Sequence, residues 1–345
     1  MKNTIAKVCL LLFLSFATPT LAQDIHFNPF NATPFYINPA YTGMFDGKLR
    51  ISGAYTNIAN ATYFPPYNSL CLSADMPVYT AHNGNYVATG VQMIRDQAGD
   101  GDYANFTGLA SVAYHQLFGK INSDHNCDLS IGAQGVFSQK IINLSAAYYG
   151  VQFVNGFYPY PFYRFALEND LISYTFNAGI SFSQSVGSKF NYTIGLSANN
   201  INQSSDAIEK RQNELTSNTF NYAATFGANI ALINKLVLRP AFLYQFGNNY
   251  NYGNSTFICG TELQYAISRG NRNLLFKNVF LGAWYRSGGS YTLTAGTQFG
   301  RGIRLALGAD HNGQSAGING FEIQLQYVLP QRSTAHRRAV PCSRF

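Results

Sequence analysis

The chain has 345 residues and a formal net charge of +7; 46% of its residues are hydrophobic and only 11% are charged. A soluble domain normally carries about 25% charged residues, so the composition is unlike that of an ordinary soluble domain. Beyond the N-terminus no run approaches the roughly 18 consecutive apolar residues of a transmembrane helix, which excludes a helical membrane protein. Basic residues are scattered except at the C-terminus, and nothing indicates nucleic-acid binding.

Residues 1–22 have the features of a secretory signal peptide. Lys2 and Lys7 supply positive charge, residues 8–16 form a short apolar core, and Ala22 ends a plausible cleavage motif. We therefore expect an exported protein that is cleaved near Ala22/Gln23; its place in the bacterial outer membrane is an expectation from the strand pattern described below.

Residues 23–47 do not alternate between apolar and polar side chains. They contain Pro29, Pro34 and Pro39 together with several asparagines, which predicts an extended, irregular lead-in. We place this lead-in in the periplasm. At about 25 residues it is shorter than the folded plug of a TonB-dependent receptor.

The stretch 189–199 alternates almost without error. Phe190, Ile194 and Leu196 fall on one face, whereas Thr193 and Ser197 fall on the other. Successive side chains of a strand point to opposite sides, so the pattern predicts a β-strand with one apolar and one polar face.

Similar segments recur along the chain and give fourteen strand candidates. They lie near 48–58, 68–77, 85–95, 102–117, 127–139, 171–184, 189–199, 217–232, 235–246, 255–266, 277–286, 290–299, 302–310 and 319–328. Apolar-out, polar-in strands of this length are typical of transmembrane barrels. We predict an all-β fold: an antiparallel outer-membrane β-barrel of about 14 strands over residues 48–329. A secreted all-β repeat protein or a lectin-like sandwich would share the composition, but strand length and charge depletion favour the barrel.

The connections and the tail add two expectations. Long connections at 140–170 and 200–216 contrast with tight hairpins, and long loops of such barrels face outward. Residues 330–345 form a basic tail that contains Arg332, Arg337, Arg338 and Arg344 without any acidic residue. This tail could contact an acidic lipid surface or a partner protein, or could simply be solvated.

Catalytic motifs are missing from the sequence. There is no nucleophile elbow, HExxH, phosphate-binding loop or dinucleotide glycine motif in a credible context. A barrel phospholipase would place serine and histidine on its outer face, which makes His115 and His311 the only candidates worth naming; a rim or lumen histidine is the favoured interpretation. We predict that the chain is not an enzyme.

No cofactor or metal site is predicted either. Residues 96–102 resemble a calcium loop but lack the carboxylate twelve positions on, so a polar hairpin is favoured. Glu322, Arg304 and Asp310 fall on polar faces, where they could either plug the barrel or line a channel. The pairing of the cysteines outside the signal peptide is left open.

Several motifs resemble those of one known family. Gln23-Asp24 followed by Asn38-Pro39-Ala40-Tyr41-Thr42-Gly43 is similar to the opening of the PorP/SprF family, outer-membrane proteins of the type IX secretion system and gliding machinery of Bacteroidetes-type bacteria. Further similar segments follow in the same order: 95–99, 129–135, 195–202, 238–240, 280–286, 307–310, 321–323 and 337–345. Phe321 and the segment 308–310 depart from the usual pattern and leave the subfamily open.

The resemblance implies a non-enzymatic barrel that engages other parts of the secretion machinery. Its partners would be periplasmic ring components, or a large secreted adhesin or cargo whose C-terminal signal domain it helps to export or to anchor, with outer-membrane lipid around the barrel. Candidate partner-contact residues are Asn38, Pro39, Ala40, Gly43, Arg337 and Arg338; the Asn-Pro and Gly residues could instead shape a turn. A porin or a FadL-like channel for small or hydrophobic solutes is the alternative function.

Overall fold

A computed structural model provides the structure of the chain. It describes residues 33–58, 67–98, 103–119, 126–141, 170–187, 189–203, 220–249, 252–267, 276–300, 302–312 and 320–330.

The described residues form fourteen β-strands, the number that the sequence predicts. Their bounds are β1 Leu49–Ile58, β2 Tyr67–Thr80, β3 Tyr86–Ala98, β4 Tyr103–Phe118, β5 Cys127–Ile141, β6 Asp170–Val186, β7 Phe190–Asn199, β8 Asn221–Ile233, β9 Leu236–Asn249, β10 Tyr252–Ala266, β11 Phe276–Arg286, β12 Ser290–Phe299, β13 Ile303–Asn312 and β14 Gly320–Leu329.

The strands close into one antiparallel barrel. Each strand pairs with its neighbours in sequence, and β14 pairs with β1 from Leu49 opposite Leu329 to Ile58 opposite Gly320. Closure leaves no exposed sheet edge, which a bilayer requires because lipid cannot satisfy free backbone groups. The predicted all-β barrel is confirmed.

The two ends of the barrel differ in their connections. Strand β1 begins and β14 ends at one end, and the longest connections, after β5 and after β7, join strands at the opposite end. Since short turns of such barrels are periplasmic and long loops extracellular, we name the first end the periplasmic end.

The barrel wall has an apolar outside and a polar inside. In β7, Ile194 and Leu196 are 46% and 58% exposed, whereas Thr193 and Ser197 are 0% and 5% exposed. Each of the fourteen strands exposes at least one large apolar side chain. Soluble proteins rarely expose such continuous apolar surface, and a lipid-facing barrel requires it.

Two short helical turns precede β1. An α-helical turn, α1, spans Pro34–Ile37 and a 3-10 turn, η1, spans Pro39–Tyr41. The described part of the chain holds no helix with the length and hydropathy needed to cross a bilayer.

These turns belong to a segment that lies inside the barrel, residues 33–47, which we call the lumen segment. Its residues are almost all buried, and they contact inward-facing residues of β1 to β11. For residues 33–47 the predicted periplasmic lead-in is therefore corrected to a segment packed in the lumen. A segment this short can still occupy the lumen, because the barrel wall supplies the hydrogen-bond and packing partners that a folded plug would supply from its own chain.

Candidate functional site: the lumen segment and its seat

The Asn38-Pro39 pair sets the local conformation of the lumen segment. Pro34 and Pro39 are the first residues of α1 and η1, where a missing backbone N–H costs no hydrogen bond. Asn38 is extended, with φ −144°, and its Oδ1 accepts a hydrogen bond from the Ala40 N–H at 2.9 Å. Asparagine is a favoured N-cap because its side chain satisfies such a free donor.

The same Asn38 amide also attaches the segment to the wall. Its Nδ2 donates to the carbonyl oxygens of Ile180 and Leu196, at 3.2 Å each. These two residues face each other across β6 and β7. One buried side chain therefore caps η1 and binds two strands.

Polar wall residues satisfy the irregular backbone of the segment. Ser130 and Gln134 of β5 donate to the carbonyl oxygens of Ala40 and Phe35, both at 3.1 Å. Ser197 of β7 donates to the carbonyl oxygen of Ile37 at 2.7 Å. Buried backbone oxygens need such partners, which explains why this part of the polar inner face suits an irregular chain.

A buried ion pair on the barrel wall binds Gly43, the last residue of the Asn38–Gly43 motif. The Gly43 N–H donates to Asp75 Oδ2 at 2.7 Å, and Arg50 Nη2 donates to the same oxygen at 2.7 Å. The side chains of Arg50 and Asp75 are 3% and 1% exposed. Because removing one member of such a pair leaves a buried charge, Asp75 is a costly residue to lose.

Hydroxyl groups add two contacts. Thr42 and Ser111 share a hydrogen bond of 2.6 Å, and the Tyr41 hydroxyl bonds to Thr225. Burial raises the pKa of Tyr41, because an uncompensated phenolate is unfavourable away from water. Tyr41 therefore stays neutral at physiological pH.

His115 is an anchor of the lumen segment. Its Nε2 donates to the Thr42 carbonyl oxygen at 2.8 Å, its Nδ1 lies 3.2 Å from Asp128 Oδ2, and its ring stacks on Tyr86 at 4.1 Å. Both ring nitrogens are thus occupied, and the ring points into the lumen. This is the lumen histidine that the sequence favoured over an outer-face phospholipase residue; the other candidate, His311, lies on β13 opposite Tyr291.

Two glycines permit the close approach of segment and wall. A Cβ on Gly132 of β5 would overlap the Pro39–Ala40 backbone. Gly43 has a φ of +75°, and a Cβ there would overlap Ala88. Only glycine satisfies both the left-handed backbone and the short distance.

The opposite side of the segment is apolar. Ile37 packs into a cluster of inward-facing residues of β8 to β11: Ala223, Ala241, Leu243, Ile258 and Trp284. Tyr36 packs against this cluster and against a second one of Ala54, Cys71 and Ile94 on β1 to β3. The segment therefore spans the lumen from one side of the wall to the other.

Further charges line the lumen on strands β9 to β14. Glu262 lies between Arg304, to which it is hydrogen-bonded, and Arg239, 3.5 Å away. Asp310 accepts a hydrogen bond from Thr292, and Glu322 accepts one from Gln324. The lumen charges named from the sequence are thus held in local pairs along this side of the wall.

The structure unites four of the six candidate partner-contact residues. Asn38, Pro39, Ala40 and Gly43 are buried together in the lumen, where they contact the wall of their own barrel. Arg337 and Arg338 lie outside the described residues. Contact of these six residues with another protein stays a prediction.

Sequence reasoning missed the wall residues that hold the motif. Asp75, Ser130, Gln134 and Ser197 look like ordinary polar positions of alternating strands, and their partners lie about 30 to 160 positions away. His115 was singled out by the sequence, but its contact with Thr42, 73 positions away, was not. The signals in the sequence that could have indicated these contacts were the Asn38-Pro39 motif and the polar residues on the inner faces of the predicted strands.

The structure adds little on metals and disulfides. Among the described residues no group of side chains could hold a metal ion; of the predicted calcium-like hairpin, only residues 96–98 are described, and they lie in β3. Cys71, Cys127 and Cys259 are unpaired within the described part of the chain.

The solved structures that resemble this chain do so at low sequence identity. No curated protein matched the sequence. Among solved structures, the CymD monoaromatic hydrocarbon channel aligns over 88% of this chain and 94% of its own, with 10% identity and a TM-score of 0.47. CdiB from Acinetobacter baumannii aligns over 81% of this chain and 60% of its own, with 10% identity and a TM-score of 0.45. Likenesses of this degree carry no argument about function.

A family model gives the identity. The model described as "Type IX secretion system membrane protein PorP/SprF" matches residues 20–327, which include the lumen segment, strands β1 to β13 and all but the last two residues of β14. The resemblance seen in the sequence is confirmed: the chain belongs to the PorP/SprF family of type IX secretion system membrane proteins and is an outer-membrane barrel.

Proposed function

We propose that the barrel is a non-enzymatic component of the type IX secretion and gliding machinery. It engages a secreted cargo or adhesin through the C-terminal signal domain of that protein, or it engages periplasmic ring components, and so supports export or surface anchoring. Membership of the family supports the secretion role.

The observation that carries this proposal is the occupied lumen. The lumen segment is hydrogen-bonded to β5, β6 and β7 and packed against β8 to β11. A barrel filled in this way suits a scaffold that presents surfaces better than it suits an open channel. The porin or FadL-like alternative would need the segment to leave its seat.

Loss of the protein in its native host tests the proposal. We expect surface proteins that carry type IX C-terminal signal domains to disappear from the cell surface, as measured by protease shaving and mass spectrometry, and to return when the wild-type chain is restored. Loss of one large adhesin would indicate a cargo-specific role, and loss of all such proteins a core role. An unchanged surface proteome would refute the proposal.

The mature N-terminus belongs to the same proposal. We expect signal peptidase to cleave after Ala22, so that the purified outer-membrane protein starts at Gln23. The intact mass of the purified protein checks this directly, since cleavage elsewhere gives a different mass.

A further inference from the structure

We propose that the periplasmic end of the barrel binds an acidic polypeptide segment of a periplasmic partner, at a basic cluster formed by Lys235, Arg239, Lys277 and Arg304. The inference rests on the proposed function, in which periplasmic components are partners, and it specifies the chemistry of the contact.

The cluster surrounds the periplasmic end of β10. The Ala266 N–H donates to the Lys235 carbonyl oxygen at 2.8 Å, and the Ile267 N–H donates to the Lys277 carbonyl oxygen at 2.9 Å. Lys235 and Lys277 therefore flank the end of this strand. Glu262, four residues before Ala266 on β10, lies between Arg239 and Arg304 on the inner face.

Positive charge is in excess on this side. Among the described residues, Glu262 is the acidic side chain that pairs with this cluster. Four positive charges and one negative charge leave a surplus of three positive charges. On the β1 to β5 side the buried Arg50 is instead matched by one carboxylate of its own, that of Asp75. The surplus therefore marks one part of the periplasmic mouth.

The cations are at least partly exposed to solvent. Lys235 is exposed and Lys277 is half-buried, while the side chains of Arg239 and Arg304 are 32% and 23% exposed. Arg304 is fixed over the Phe280 ring at 3.7 Å, and the guanidinium groups of Arg239 and Arg304 share the one carboxylate of Glu262. Ordered guanidinium groups with spare donors bind carboxylates well.

The direction of the arginines favours a polypeptide over lipid. Arg239 and Arg304 reach Glu262, which is 1% exposed on the inner face, and so point into the mouth of the lumen, away from the surrounding headgroups. A flexible acidic segment can enter that mouth while also contacting the two lysines. Complementary charge of this kind gives specificity and speeds association.

Binding of a fluorescein-labelled glutamate decamer tests the inference. The full mature chain is placed in neutral phosphatidylcholine nanodiscs, and binding is followed by fluorescence anisotropy at low salt. We expect K235Q/K277Q to weaken binding about fivefold and R239Q about tenfold, and 0.5 M salt to abolish it by screening. R95Q/K140Q removes two cations at the opposite end and serves as the matched control, with wild-type affinity expected.

Three outcomes would overturn the inference. They are no binding by the wild-type chain, an equal loss in R95Q/K140Q, or a K235Q/K277Q variant that loses co-purified anionic lipid, measured by native mass spectrometry, while it keeps the peptide. Each variant must show the heat-modifiable gel mobility of the wild type, which reports a folded barrel. R239Q is chosen over R304Q because it leaves the Arg304–Glu262 ion pair in place. Normal cargo display by K235Q/K277Q in cells that need the barrel would refute the inference and leave the proposed function intact.

Discussion

At the scale of single residues, the Asn38 amide decides how firmly the lumen segment is held. It makes three hydrogen bonds, to the Ala40 N–H and to the carbonyl oxygens of Ile180 and Leu196. We expect Asn38→Ala to cost about 2 kcal/mol of local stability, because each lost bond contributes about 1 kcal/mol, with partial compensation by water. Amide hydrogen exchange of residues 40–44 should then accelerate roughly thirtyfold.

A wall asparagine provides the control for that exchange measurement. Asn229 donates to Asn191 Oδ1 at 2.9 Å between neighbouring strands. Asn229→Ala should leave exchange of the lumen segment unchanged. If Asn38→Ala also left it unchanged, the amide would not be the anchor that its contacts indicate.

Glycine 132 allows a sharper test, since the obstruction there is backbone. A Cβ on Gly132 would overlap the Pro39 and Ala40 main chain, whereas a Cβ on Gly135 of the same strand meets nothing within 4 Å. We expect Gly132→Ala to displace the lumen segment and make residues 33–47 cleavable by added protease. Gly135→Ala should resist cleavage like the wild type, and equal resistance of both variants would contradict the described seat.

At the scale of elements, the strands were predictable and the lumen segment was not. Alternation is a local property, so clean strands such as β7 follow from side-chain order alone. In β9 the pattern blurs, because Leu236, Val237 and Leu238 are consecutive apolar residues. The contact between Ala40 and Ser130 spans 90 residues and becomes visible only once the barrel is closed. Pro34 and Pro39 ruled out a strand, but nothing local indicated that the irregular chain turns into the lumen.

The lipid-facing side of a strand gives an element-scale prediction. Leu196, midway along β7, is 58% exposed, whereas Ile201, just beyond the strand, is 45% exposed. We expect Leu196→Arg to cost about 2–4 kcal/mol and Ile201→Arg about 0–1 kcal/mol, because the cost of a charge falls from the bilayer midplane toward the interface. Urea titration of folding into lipid vesicles measures both; equal costs would contradict the placement of Leu196 deeper in the bilayer than Ile201.

At the scale of the whole molecule, the question is whether the occupied lumen conducts. The lumen segment bridges the wall from the Cys71 cluster to the Trp284 cluster through Tyr36, so ions meet packed side chains in the middle of the barrel. We expect the purified wild-type protein in planar bilayers to conduct little, and deletion of residues 33–45 to raise single-channel conductance on the order of tenfold, since an unfilled barrel of this size leaves an aqueous path.

A disulfide between the lumen segment and the wall tests the same prediction without removing residues, so the test does not depend on whether the deletion variant folds. The hydroxyl oxygens of Thr42 and Ser111 are 2.6 Å apart, close enough for cysteines at both positions to be joined with little movement. The oxidised T42C/S111C variant should stay closed under conditions, such as mild urea, that open the wild-type barrel, and reduction should remove the difference. A large, stable conductance from the oxidised variant would mean that the segment does not block the lumen, and would favour the channel function over the scaffold.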